Sequence, residues 1–168
     1  RKSKSNIIAT ALFGDGAAGA IISTEGEGPR LGPSGEHTWP DSLGIMGWDI
    51  EEDGFKAIFS KSIPDLVEEE FETVLFDFLQ RNNLKLDDID GFACHPGGAK
   101  VLSALERALR RKEGGLDDSR EILRQYGNMS AVTVLFVLER MRVRKKHRRT
   151  LLSTLGPGFT AAFMTLEA

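Results

Sequence analysis

Residues 91–98 read "GFACHPGG", an apolar run that meets a histidine, a proline and two glycines. A short apolar run closed by turn residues reads as a buried strand, here Ile89–Cys94. The stretch that follows, "GGAKVLSALERALRRK" at 97–112, places Val101, Leu102, Leu105, Ala108 and Leu109 at steps of three and four. That spacing is the apolar face of a helix. Strand, tight turn and helix make the working unit of an α/β protein, and such folds present side chains to ligands where a strand stops. His95 stands at that place, although position alone fits a surface loop histidine equally well. Its neighbour Cys94 is the only cysteine of the chain. Successive side chains of a strand point to opposite faces, whereas a nucleophile and its base must lie within hydrogen-bond reach. Cys94 therefore reads as a small buried apolar residue.

Working outward, Leu66, Val67, Phe71, Val74, Leu75, Phe78 and Leu79 give a second helical face, with Pro64 in its first turn and an acidic N-terminal half. "DDSREILRQYG" at 117–127 predicts a short helix stopped by Gly127, and "NMSAVTVLFVLERMR" at 128–142 a helix apolar almost all round, hence buried. Near the N-terminus, Ile7–Phe13 and Ala17–Ser23 flank Gly14-Asp15-Gly16, a hairpin signal. "EGEGPRLGPSGEHTWPDSLGIMGWDI" at 25–50 reads as a long irregular excursion, and Phe55–Phe59 as a returning strand. Thr150–Leu155 and Phe159–Leu166 around Gly156-Pro157-Gly158 form a second hairpin. The sum is a mixed α/β layer without internal repeats.

The 168 residues suffice for one compact domain, and 40% apolar residues are enough for its core. With 22 Lys and Arg against 25 Asp and Glu, composition argues against a nucleic-acid protein. The basic run "RMRVRKKHRR" at 140–149 reads as the solvated end of a helix, since it lacks interleaved aromatics for base stacking. No stretch approaches a membrane span, and a lone cysteine points to a reducing, cytoplasmic setting. Arg1 in the first position reads as the continuation of a longer polypeptide.

Two further features could carry chemistry. Asn128 opens a buried helix, where its simplest role is an N-cap, yet a carboxamide there can also donate to a developing oxyanion. The glycines of "LGPGF" let backbone pass close to a ligand or to another strand.

Taken together, "LFGDGAAG" at 12–19, "PDS" at 40–42, "HPGG" at 95–98, "YGNMSAVTVLFVLERMR" at 126–142 and "LGPGFT" at 155–160 resemble, in order and spacing, the C-terminal half of chalcone synthase-like enzymes. These are the type III polyketide synthases of the thiolase fold, and the likeness is nearer to bacterial alkylpyrone and alkylresorcinol synthases than to plant enzymes. The resemblance covers essentially the whole chain. It implies a thiolase-like C-terminal half, a mixed sheet covered by helices, over residues 1–168.

The resemblance also implies a Cys-His-Asn triad acting on acyl-CoA and malonyl-CoA, which are substrates; no cofactor is expected. His95 matches the family histidine and Asn128 the asparagine, which together decarboxylate malonyl-CoA and stabilise the enolate. Phe13 matches a gatekeeping phenylalanine at the acyl pocket. The second gatekeeper falls at Ala57, where a missing ring implies a wide opening suited to a long fatty acyl starter. Trp48 stands where many plant enzymes carry a small pocket residue, and so shortens or redirects the cavity. Ser130 matches a pocket residue. Gly156, Pro157 and Gly158 resemble the family's Gly-Phe-Gly-Pro-Gly loop, with Leu155 in place of phenylalanine. The family's nucleophilic cysteine belongs to an N-terminal half that this chain lacks, and Cys94 matches a strand position instead. The resemblance thus implies a domain inert by itself and a homodimer when full-length. A ketoacyl synthase III-like enzyme, or a non-catalytic half that only pairs with a partner, stands as the alternative.

Overall fold

The computed structural model describes residues 4–52, 54–112 and 114–168. Its elements run α1 (Lys4–Leu12), β1 (Arg30–Thr38), β2 (Met46–Glu51), β3 (Gly54–Phe59), α2 (Ile63–Arg81) and a 3₁₀ turn at Leu86–Asp88. Then follow β4 (Gly91–Cys94), α3 (Ala99–Ala108), α4 (Asp117–Tyr126), α5 (Val132–Arg144), β5 (Arg149–Gly156) and β6 (Thr160–Glu167). Four strands make one mixed sheet in the order β1-β6-β5-β4, and β2 pairs with β3 separately. Only the β4–β5 pair is parallel; β1–β6 and β5–β6 are antiparallel.

Side-chain alternation along β4 builds two cores. Phe92 and Cys94 join α2 and α3 in the larger one, while Ala93 faces Met129 and α5 on the other side. The sheet is therefore covered on both faces, as a parallel pair requires. The larger core closes on Val67, Phe71 and Leu75 of α2, all fully buried. These are among the residues whose three- and four-step spacing predicts the helix, and α2 indeed carries Pro64 in its first turn.

Several expectations differ from the structure. Ile7–Phe13 and Ala17–Ser23 do not form a hairpin. Residues 4–12 are helical and 14–23 adopt no regular element. A strand must find a neighbour for its backbone groups, and only Phe13 does, in an isolated parallel bridge to Asn128. A helix satisfies its groups internally, as Phe13 N–H shows by donating to the Ala9 carbonyl at 2.9 Å.

The stretch 25–50 is not wholly irregular, since it contains β1 and β2. Glycine and proline conceal β1 because it is the edge strand. Pro33, which has no N–H to donate, falls at a shift of register between Leu31 and Ser34. Helix α3 is shorter than expected, starting after Gly98 and ending at Ala108. Finally, Asn128 is no helix cap: α5 starts at Val132 after Ala131. That helix buries Thr133, Val134, Val137 and Met141 on one side only, with Val143 open to solvent.

Candidate active site

His95 follows the last residue of β4, and its N–H donates to the Ser153 carbonyl of β5 at 2.8 Å. The ladder thus holds the imidazole at the end of the parallel β4–β5 pair. The side chain is 8% exposed, and burial alone lowers its pKa to about 4, so the ring is neutral at pH 7. Its Nδ1 is enclosed with no hydrogen-bond partner among the described residues. A buried neutral imidazole acts as a hydrogen-bond donor or acceptor without bringing a charge.

Asn128 reaches the same place by a different route. Gly127 ends α4 with φ 73, a left-handed backbone where an added Cβ would also meet the Leu12 carbonyl at 2.8 Å. Asn128 then inserts its backbone beside Phe13. Its N–H donates to Leu12 O at 2.8 Å, and its carbonyl accepts from Gly14 N–H at 3.1 Å. The side-chain orientation follows from donor logic. Ser130 N–H can only donate, and it lies 2.8 Å from Asn128 Oδ1, so that atom is the amide oxygen. The Nδ2 donor, with one weak contact to the Gly97 carbonyl at 3.4 Å, retains a hydrogen for the cleft. Ser130 makes this turn in a left-handed conformation, φ 58. Thr133 steadies it, accepting from Met129 N–H and donating to the Ser130 carbonyl.

His95 and Asn128 line one cleft of about 410 Å³, together with Phe13, Trp48, Ser130, Gly156 and Pro157. Its volume lies in the range of small-molecule sites. Phe13 is its aromatic hub, with ring centroids 5.6 Å from Phe59 and 6.5 Å from Trp48. Trp48 stands on β2 directly opposite Ala57 on β3. Ala57 is buried and does not line the cleft, and Gly158 lies beside the lining rather than in it. Phe59, two residues along β3 from Ala57, supplies a ring to the wall, and reading only the aligned position passes over it. Gly158 has a structural duty: at φ 140 an added Cβ would run into Thr160 Oγ1. The same turn is tied to "PDS", because Ser42 donates to the Trp39 carbonyl at 2.5 Å and accepts from Phe159 N–H.

Cys94 is fully enclosed, and burial pushes its thiol up to about 12. A thiol so protonated is a poor nucleophile. Among the described residues no group of three or more His, Cys, Asp and Glu is placed to hold a metal ion, and no helix is long and apolar enough to cross a membrane.

Comparison with known proteins fits this geometry. The profile of the family "Chalcone and stilbene synthases, C-terminal domain" matches residues 32–168. A Bacillus subtilis protein named for chalcone synthase is 37% identical over 175 aligned residues, covering 97% of this chain and 48% of the relative. A 1,3,6,8-tetrahydroxynaphthalene synthase of Streptomyces peucetius is 38% identical, over 98% of this chain and 46% of its own length. The crystal structure of 1,3,6,8-tetrahydroxynaphthalene synthase from Streptomyces coelicolor A3(2), a bacterial type III polyketide synthase, superimposes with a TM-score of 0.90 at 26% identity. It is covered over 49% of its length by 99% of this chain. The chain thus spans about half the length of the curated relatives it matches, and its fold is thiolase-like. This chain belongs to the chalcone and stilbene synthase family, with residues 32–168 forming the family's C-terminal domain.

Proposed function

We propose that this chain is the C-terminal half of a type III polyketide synthase, an acyltransferase that condenses an acyl-CoA starter with malonyl-CoA. The observation that carries the reading is the convergence of two neutral donors, His95 and Asn128, on one largely apolar cleft. In the proposed reaction both donate to the thioester oxygen of the malonyl group. The bond to its carboxylate breaks, carbon dioxide leaves, and the electron pair passes to the thioester enolate. Donors already aimed at that oxygen stabilise the developing charge most where water is excluded. The enolate carbon then attacks an acyl thioester and expels the sulfur that carried it.

That sulfur belongs to a cysteine outside this chain, since Cys94 is buried and protonated. The 168 residues alone are therefore inactive, and the active form pairs them with an N-terminal half in a homodimer. The wall of Phe13, Phe59 and Trp48 supports an apolar starter. A long-chain acyl group remains the proposed one, although Ala57 adds no opening to the wall.

The test is carbon dioxide release from malonyl-CoA by the whole polypeptide that carries residues 1–168. His95→Ala and Asn128→Ala are each expected to lower it by about a hundredfold or more. Full activity in both variants would overturn the reading. Acyl-CoA starters from two to eighteen carbons, run side by side, test the chain-length preference.

A further inference from the structure

The imidazole of His95 can be no better placed than the strand end that carries it. Strand β4 is the last in the sheet, so among the described residues its outer side has no neighbouring strand. His95 N–H points inward to Ser153. The Cys94 carbonyl shares a trans peptide unit with that N–H and therefore points the opposite way, outward. Cys94 is fully buried, and an outward carbonyl there would lack a partner. The partner is a side chain. Ser119, also fully buried, donates its hydroxyl to the Cys94 carbonyl at 2.7 Å.

Ser119 lies in the first turn of α4, and that turn is itself held. Arg120 reaches Glu106 of α3 at 2.6 Å and Ser103 at 3.1 Å, while Glu106 also accepts from Leu116 N–H at 3.2 Å. The other end of α4 runs through Gly127 directly into Asn128. One short helix is therefore fixed at its start to the residue before His95 and at its end to Asn128.

We propose, on the reading of the site given above, that Ser119 is a positioning residue: its hydroxyl stands in for a missing strand and sets His95 in register with Asn128 through α4. A hydroxyl serving stability alone would alter the melting temperature and leave turnover intact. A positioning hydroxyl would alter turnover with little effect on substrate binding.

The experiment compares Ser119→Ala and Ser119→Thr in the whole polypeptide, reading malonyl-CoA decarboxylation. Ser119→Ala is expected to lower kcat about tenfold or more with KM within about twofold, because small misplacements of reacting groups are costly. Ser119→Thr, which keeps the hydroxyl, is expected to restore most of it. A folded Ser119→Ala variant with kcat within about twofold of the parent overturns the proposal. Should Ser119→Ala not fold, Ser119→Cys, similar in shape and a weak donor, is read by the same criterion. If the parent polypeptide releases no carbon dioxide, the functional reading fails and a second readout decides the role of Ser119. That readout is the His95 imidazole Cε1–H resonance, assigned with His95→Gln. A resonance displaced in the weakened-donor variant and returned by threonine supports positioning, and an unmoved one overturns it.

Discussion

At the scale of single residues, the neutral state of His95 has a cost that can be measured. Its folded pKa lies near 4, below the ordinary value of 6.5. As acid is added, the unfolded chain takes up this proton first, so stability is intact above about pH 6.5 and falls as the pH drops toward 4. The full window amounts to about 3 kcal/mol, since each pKa unit corresponds to about 1.4 kcal/mol. Urea midpoints at pH 7 and pH 4.5 are expected to differ more in the parent than in His95→Gln; an equal loss in both would show the ring to be solvated. His95 and Asn128 stand out in the sequence through the motifs that carry the family resemblance, since position alone fits a loop histidine and a helix cap equally or better. The hydroxyls that hold the backbone beside them are not marked in this way. Ser119 and Thr133 are ordinary helix residues by spacing, and only the packed structure reveals which backbone atoms their hydroxyls meet.

Among the elements, α4 depends on a charge. Glu106 is 3% exposed. Burial works against its ionisation, but the Arg120 side chain and the Leu116 N–H prevail and hold the carboxyl below its usual 4.5. Its contribution is thus in place above about pH 4.5 and is lost as the pH falls below that. Glu106→Ala is expected to cost about 2 kcal/mol at pH 7, less than a fully buried pair because Arg120 is partly exposed. The difference from the parent narrows at pH 3; a constant gap would mean that packing rather than charge was removed. This lower window separates Glu106 from His95. The elements also differ in how openly the sequence states them. The β5–β6 hairpin and α2 are legible because each has one buried face and a regular period. Strand β1 hides behind Gly32, Pro33 and Gly35, residues that an edge tolerates. Helix α1 has β-branched residues that suit a strand, but among the described residues no strand pairs with them.

For the molecule as a whole, Ile21 and Ile22, ahead of β1, stand apart from the two cores. Ile21 is 100% exposed and Ile22 75%. An apolar run held in water is an accessible protease substrate. Thermolysin is expected to cut the 168-residue chain first beside Ile21 or Ile22, while β4 to β6 stay intact; initial cleavage inside α2 or β5 would contradict this packing. The bridge between Phe13 and Asn128 bears on how such proteins can be cut and recombined. The family's C-terminal domain is matched from residue 32, but the backbone partners of Asn128 are Leu12 and Gly14. A swap of C-terminal domains between relatives that crosses over at residue 32 would join Asn128 to a foreign clamp. A crossover ahead of α1 would carry asparagine, clamp and aromatic wall across as one inherited block. The boundary drawn by similarity and the boundary of the chemistry are thus about twenty residues apart, and an exchange of specificity would succeed or fail on that interval.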